Sequence, residues 1–176
     1  IWFGNLVRLQ NEKVLIAGGT GINGFSDTRT SELFDPSTNS WSYTGNLITA
    51  RRGASLTMLA DGRVLISGGS LGLPDSDRFL YSAEIYNPET GTWISTGNLK
   101  IAREGHKSVR LFDDRVLIIG GEGPWMVNQK IAEIYRPNTG DWVTTGSISI
   151  GRNSATLTLL QDGRVMYAGG AGGSTI

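Results

Sequence analysis

The segment Ala83-Glu84-Ile85-Tyr86-Asn87-Pro88-Glu89-Thr90-Gly91-Thr92-Trp93 decides how this 176-residue chain is built, because its pattern occurs three times. In each copy a glutamate, an aromatic residue and a proline alternate with other residues, and a tryptophan follows five positions after the proline. The other copies span 32–41 and 133–142. A repeat of this kind must be recognised first, since missing it leads to the wrong fold.

Other residues recur in register with this segment. A diglycine precedes each copy, at intervals of about 50 residues, which is a typical length for a repeat of four strands. An arginine stands ten positions after each tryptophan and seventeen before the next diglycine. Only the interval from diglycine to glutamate varies, so each unit is a folded module with one variable loop. The recurring residues are Gly18-Gly19, Gly68-Gly69, Gly120-Gly121, Gly169-Gly170, Arg51, Arg103 and Arg152.

Each unit is predicted to form four short strands, here named a to d. In the second unit strand a covers Ala54 to Ala60, and Asp61-Gly62 is a two-residue hairpin turn. Strand b contains Val64-Leu65-Ile66, an apolar run typical of a strand covered on both faces. Strand c covers Ala83 to Asn87 and strand d covers Trp93 to Thr96. No segment shows the 3.6-residue period of a helix, so the predicted fold class is all-β.

The diglycine, the Glu-x-Tyr-x-Pro segment and the spaced tryptophan together resemble the kelch repeat of β-propellers. The resemblance covers the whole chain and implies a partial propeller with blades of four antiparallel strands. Propellers close with typically four to eight blades. We therefore expect the remaining blades in further sequence, or self-association of the chain. The predicted division is blade one at 1–44, blade two at 51–96, blade three at 103–145 and a half blade at 152–176.

Composition excludes several function classes. Sixteen basic and sixteen acidic residues balance, so nucleic acid is not a predicted partner. Apolar stretches are too short for membrane insertion. The chain has no cysteine and a single histidine, His106, so no Cys or multi-His metal site is predicted, and no cofactor.

Residues that recur in every unit are predicted to serve the architecture. The diglycines favour positive φ or close backbone approach, not phosphate binding. Tyr86, Trp93 and their equivalents are predicted to pack between sheets instead of stacking on bases or sugars. The arginines and the glutamates Glu32, Glu84 and Glu133 occur once per unit. They are predicted to form ion pairs, the alternatives being an anion-binding ring and catalytic acids. The kelch resemblance implies packing and a hydrogen bond for His106.

No catalytic residue is predicted in the chain. Some kelch propellers belong to copper radical oxidases similar to galactose oxidase, which use a cysteine crosslinked to a tyrosine together with histidine ligands. This chain lacks that set. The alternative function is therefore a scaffold part of a propeller enzyme, carbohydrate-active or oxidase-like, with its catalytic residues outside this segment.

Function is predicted to lie where the repeats differ. The b–c loops and the d–a loops emerge on one face, because neighbouring strands run in opposite directions, and variable loops on a rigid scaffold often carry recognition. Trp125 and Met126 have no counterpart in other units; the alternative for Trp125 is that it covers its own loop. The predicted function is a non-catalytic protein- or glycan-binding module of a larger protein, with an extracellular or cell-surface location favoured by the resemblance. The candidate binding residues are Phe25, Arg29, Leu73, Arg78, Phe79, Trp125, Met126 and Lys130.

Overall fold

The computed structural model describes residues 5–21, 27–72 and 78–172 of the chain. The elements described in full in these ranges are β-strands and a short 3₁₀ turn at Pro124–Met126. The strands, in chain order, are β1 Asn5–Arg8, β2 Val14–Ala17, β3 Ser31–Asp35, β4 Ser40–Tyr43, β5 Ser55–Met58, β6 Val64–Ser67, β7 Ala83–Asn87, β8 Thr92–Ser95, β9 Lys107–Arg110, β10 Val116–Ile119, β11 Glu122–Gly123, β12 Val127–Asn128, β13 Ile131–Arg136, β14 Asp141–Ser147, β15 Arg152–Asn153, β16 Thr156–Leu159, β17 Val165–Ala168 and β18 Ala171–Gly172.

The strands form three antiparallel four-stranded sheets, which we call blades one to three. Their strand orders are β1-β2-β3-β4, β5-β6-β7-β8 and β9-β10-β13-β14, and β16 pairs with β17 as the start of a further sheet. The first strands of successive sheets lie side by side, as β1 with β5, β5 with β9 and β9 with β16. The predicted fold class, an all-β propeller with blades of four antiparallel strands, is confirmed. No helix in the described ranges has the length and apolarity needed to span a membrane.

The turn between strands a and b is longer than the predicted two-residue turn. The amide of Leu59 donates to the carbonyl of Arg63 at 2.8 Å, and the amide of Gly62 donates to the carbonyl of Leu59 at 3.1 Å. This pattern is a three-residue loop that ends in a residue of left-handed conformation, and Gly62 has φ +85°. The prediction was wrong because Asp-Gly suits both turns, and the hydrogen-bond register chooses between them.

The aromatic pairs of blades two and three pack against the preceding blade, as predicted. The rings of Tyr86 and Trp93 lie 5.1 Å apart. The Tyr86 hydroxyl hydrogen-bonds Thr44 Oγ1 at 2.7 Å, and Trp93 Nε1 donates to Ser31 Oγ at 3.1 Å, so both polar atoms are satisfied by blade one. Burial of large aromatic rings whose polar atoms are paired stabilises this packing strongly.

The equivalent tryptophan of blade one has no preceding blade to pack against among the described residues. Trp41 is 55% exposed, whereas Trp93 is 7% and Trp142 is 1% exposed. Since Trp93 packs on blade one, Trp41 points away from blade two, toward a side where the structure describes no sheet. The same side chain is therefore a core residue in two blades and a surface residue in the first.

Two of the predicted ion pairs are formed, and both are buried. Arg51 Nη2 lies 2.7 Å from Glu84 Oε1, and Arg103 Nη2 lies 2.7 Å from Glu133 Oε1. Each pair joins the loop that enters a blade to strand c of that blade. In the part of the chain that the structure describes, Glu32 forms no ion pair, and Arg152 donates instead to the carbonyl of Gly169 at 3.1 Å.

The diglycine is held between the arginines of two successive blades. The Gly68 carbonyl accepts from Arg51 Nη1 at 2.7 Å, and the Gly69 amide donates to the Arg103 carbonyl at 2.8 Å. Gly68 has φ +58°, and a Cβ there would lie 2.6 Å from the Arg103 carbonyl oxygen and 2.8 Å from His106 Cε1. Both predicted reasons for glycine, positive φ and close approach, apply at this position.

His106 is buried between blades two and three, as the resemblance implies. Its Nε2 lies 3.0 Å from Ser55 Oγ and 3.2 Å from Ser67 Oγ. Burial, together with the charges of Arg103 and Lys107, lowers the pKa of His106 from 6.5 to about 3. The imidazole is thus neutral at physiological pH and serves packing.

Candidate binding face

The b–c and d–a loops lie on one face and pair with each other, as the alternating strand directions require. Arg52 and Ser70 exchange backbone hydrogen bonds of 3.0 and 2.9 Å, and Glu104 and Glu122 exchange two of 2.8 Å. These bridges extend each blade by one residue pair beyond the diglycine. The face is therefore a direct continuation of rigid strands, and side chains on the bridges have fixed positions.

The bridges place differing side chains at equivalent positions. The residue after each blade's arginine is Arg52, Glu104 or Asn153, and the residue after each diglycine is Thr20, Ser70, Glu122 or Ala171. Neighbouring blades are joined through these positions. Ser70 Oγ donates to Glu104 Oε2, and Asn153 Nδ2 donates to Glu122 Oε2 at 3.3 Å. The backbone arrangement thus recurs in each blade, whereas the side chains on the bridges differ between blades.

Arg78 connects three loops of this face. Its Nη2 lies 3.3 Å from Glu104 Oε1, 3.2 Å from Glu122 Oε1 and 3.2 Å from Met126 Sδ. Its guanidinium carbon lies 4.7 Å from the centre of the Phe79 ring, within the range of a cation–π contact. One guanidinium thus serves two carboxylates, and neither carboxylate has a cation of its own among the described residues.

A polar cavity of about 340 Å³ opens between the bridges. The Arg52, Glu104, Glu122 and Asn153 side chains contribute to its wall. The remaining wall comes from the loop residues Gly53, Gly105 and Ser154, all of which have positive φ. The backbones of these three are joined across the blades, Gly105 N to Gly53 O at 2.7 Å and Ser154 N to Gly105 O at 3.1 Å.

Asp27 adds a further carboxylate beside Arg52. Its side chain is only 4% exposed, and its Oδ1 lies 3.9 Å from Arg52 Nε, beyond hydrogen-bond distance. No described group donates a hydrogen bond to this oxygen. Burial raises the pKa of Asp27, Arg52 opposes the rise, and the charge of Glu104 adds to it.

The b–c loop of blade three ends in an exposed apolar tip. Trp125 is 82% exposed, Met126 is 61% exposed, and Val127 is exposed as well. Trp125 and Met126 both have positive φ, +62° and +58°, which is uncommon for large side chains. Trp125 therefore stands out from the loop instead of covering it. The tip is carried by the β11–β12 ribbon, in which Gly123 pairs with Val127.

Comparison with known proteins agrees with this architecture. The family model described as Kelch motif matches residues 51–100. Residues 51–100, which include all four strands of blade two, therefore contain a kelch motif. Spermatocyte protein spe-26 of Caenorhabditis elegans is 30% identical over 113 residues, which cover 62% of this chain and 19% of that protein. Galactose oxidase of Gibberella zeae is 31% identical over 91 residues, which cover 52% of this chain and 12% of that protein. Kelch-like protein 15 of Homo sapiens is 27% identical over 144 residues, which cover 68% of this chain and 22% of that protein. The chain thus spans about a fifth or less of these relatives.

The kelch scaffold brings some of the predicted binding residues together and separates others. Arg78 and Met126 are in contact, with Trp125 next to them, whereas Phe79 is buried beneath Arg78. Arg29 and Lys130 have exposed side chains, and their carbonyls accept from the amides of d–a loops. Phe25 and Leu73 lie outside the described residues.

Sequence reasoning missed the residues on the bridges. The four side chains there were not among the predicted binding residues: Arg52, Glu104, Glu122 and Asn153. The signal that would have found them is position: each follows directly on an invariant arginine or diglycine of the kelch repeat, yet differs between repeats.

The loop face presents charged, amide and apolar side chains. Within 5–21, 27–72 and 78–172, no three His, Cys, Asp or Glu side chains converge as a metal site would require. The serine–histidine contacts in the same ranges, those of Ser55 and Ser67 with His106, are buried between blades and away from the cavity. The kelch face offers carboxylates, guanidinium groups, an amide and an apolar tip.

Proposed function

We propose that this kelch segment is a non-catalytic protein-binding module of a larger protein, and that it recognises its partner through the b–c and d–a loops. The observation that carries the proposal is that the side chains that differ between blades gather at one end of a repeated scaffold. Trp125, which is 82% exposed, is one of these side chains. The proposed division of the chain keeps blades at 1–44, 51–96 and 103–145 and a half blade at 152–176.

The residue types at the face support protein recognition. Trp, Met and Arg are enriched where protein interfaces are best packed. Arg78, Trp125 and Met126 supply one of each, and Arg78 is already held by two carboxylates. Holding a side chain in place before binding reduces the entropy lost on association.

The relatives support the same reading without naming a partner. Kelch-like protein 15 carries the name of the repeat, and its match covers 68% of this chain, while that of spermatocyte protein spe-26 covers 62%. What the whole protein binds is therefore left to experiment.

Photo-crosslinking tests this proposal with a matched control in the same blade. A photoreactive phenylalanine replaces Trp125 in one version of the full-length protein and Phe112 in another. Phe112 is also a largely exposed aromatic residue, at 69% against 82% for Trp125, but it belongs to the a–b turn at the opposite end of blade three. We expect a protein crosslink from position 125 that Arg78→Ala weakens, and none from position 112. Equal crosslinking from both positions, or from 112 alone, would contradict the proposed face. A glycan captured at 125 in place of a protein would change the partner class.

A second candidate is a scaffold part of a propeller enzyme with its catalytic residues elsewhere. The match to galactose oxidase favours it. Its test is peroxide production by the full-length protein supplied with copper and galactose. Peroxide formed at the same rate by the Trp125→Ala protein would support this candidate.

A further inference from the structure

We propose that the cavity between Glu104 and Glu122 receives a positively charged side chain, a guanidinium or an ammonium group, from the protein partner. This inference rests on the proposed function and names the chemistry that the loop face would select.

The charges around the cavity leave a negative excess. Asp27, Glu104 and Glu122 provide three carboxylates, and Arg52 and Arg78 provide two guanidinium groups. Arg78 is shared between both glutamates at 3.2 and 3.3 Å, which is longer than a typical charge-assisted hydrogen bond of about 2.7–2.9 Å. The Oε2 atom accepts from Ser70 in Glu104 and from Asn153 in Glu122, so each carboxylate oxygen has one hydrogen-bond partner in this group. Since a carboxylate oxygen can accept two hydrogen bonds, a second cation would find acceptor capacity on both glutamates.

Asp27 provides an independent sign that the local charge is incompletely neutralised. A carboxylate buried to this degree normally has every oxygen hydrogen-bonded, because an unpaired buried acceptor is costly. Its Oδ1 has no such partner among the described residues and faces Arg52 at 3.9 Å. Arg52, which lines the cavity, has Asp27 as its carboxylate partner, so Glu104 and Glu122 share Arg78 as their cation among the described residues.

The apolar tip lies next to this charged cavity. Met126 Sδ touches Arg78, and Arg78 touches Glu122, so the chain of contacts runs from the tip to the cavity wall. An arginine or lysine side chain carries an apolar stem below its charged end. Such a side chain can place its charge between the glutamates while its stem or an apolar neighbour lies against Trp125.

Two small probes that differ only in charge test the inference. N-acetyl-arginine amide and N-acetyl-citrulline amide are titrated into the full-length protein while backbone amide and indole resonances are followed. We expect saturable shifts at Gly105, Ser154 and the Trp125 indole with the arginine probe. The citrulline probe should bind about tenfold more weakly, as is typical when a charged hydrogen bond is lost. Binding should also weaken with added salt.

Paired variants separate the cavity from a change in overall charge. Asn153→Lys places an ammonium group beside Glu122 and should reduce binding of the arginine probe at least tenfold. Asn138→Lys makes the same charge change in a c–d turn at the opposite end and should leave binding unchanged. Glu122→Gln should weaken binding about tenfold. Since Glu122→Gln removes a carboxylate partner of Arg78, the thermal stability of this variant is measured as well. If the variant is destabilised, the binding measured for Asn153→Lys is the test of the cation site.

The outcomes distinguish this inference from the proposed function. Equal binding of the two probes, no saturable binding, or equal loss in both lysine variants would overturn the cation site. So would tighter binding of N-acetyl-glutamate amide, which would assign the cavity to Arg52 and an anion. Crosslinks from position 125 with a failed probe titration would leave the binding face intact and remove only the cation site. Failure of both experiments would remove the binding face as well.

Discussion

Arg103 Nη2 lies 2.7 Å from Glu133 Oε1, and both side chains are completely buried. The pair is fully hydrogen-bonded in addition: Arg103 donates to the carbonyls of Gly120 and Ile131, and Glu133 accepts from the amides of Lys100 and Ile101. Arg51 and Glu84 repeat the arrangement one blade earlier. The attraction within the pair and these hydrogen bonds offset the desolvation cost of burying both charges, which an isolated buried charge would carry without compensation.

Glu133→Gln is expected to destabilise the protein by about 3 kcal/mol or more, because it leaves the Arg103 guanidinium buried without a counter-charge. Glu32→Gln is the matched control, since Glu32 holds the equivalent position in blade one without an ion pair in the described ranges. It should cost less than about 1 kcal/mol. Urea unfolding measures both. Similar losses for the two variants would show that the ion pair contributes little to stability.

Stability is expected to fall as the pH is lowered from about 6.5 toward 3, in part through His106. The folded protein holds this imidazole neutral with a pKa of about 3, while the unfolded chain binds a proton near 6.5. Since the unfolded state binds the additional proton in this window, the free energy of unfolding decreases by up to about 1.4 kcal/mol per pH unit from this group. His106→Ala, which introduces the residue found at Ala54 and Ala155, should flatten the slope. Parallel pH profiles of the two proteins would rule out this contribution.

Repetition explains how much of the molecule could be predicted. Packing of Tyr86 and Trp93 and pairing of Arg51 with Glu84 followed from their recurrence, because a residue needed in every blade serves what all blades share. The cavity could not be predicted in this way. Arg78, Glu104 and Glu122 come from different loops, and only folding brings the single guanidinium between the two carboxylates. The exposure of Trp41 likewise depends on whether a preceding blade packs against it, and the residues of one repeat do not determine this.

Asp114→Gly is expected to stabilise the protein by about 0.5–1 kcal/mol. Asp114 has φ +67° at the turn position that Gly62 occupies in blade two and Gly163 in the fourth sheet. A residue with a Cβ is strained by about 1–2 kcal/mol in this conformation, and glycine removes that strain. The net gain in stability is smaller, because glycine also increases the conformational entropy of the unfolded chain. The reciprocal variant Gly62→Asp should be destabilising. Thermal unfolding of both tests the turn assignment, and a destabilised Asp114→Gly protein would show that its contact with Arg110 at 3.3 Å matters more than backbone strain.

Trp125→Ala is expected to change the free energy of unfolding by less than about 0.5 kcal/mol, as is usual for an exposed side chain. Trp142→Ala should cost about 3–5 kcal/mol, because the same residue type is buried there between two blades and donates to the Gly97 carbonyl at 2.9 Å. Urea unfolding of the two variants gives the comparison directly. Alanine keeps the Cβ, so the positive φ at position 125 is equally strained before and after the change. A loss above about 1 kcal/mol from Trp125→Ala would mean that this side chain covers its own loop. In that case Trp125→Ala would change stability as well as binding, and the loop face would have to be tested with Arg78→Ala.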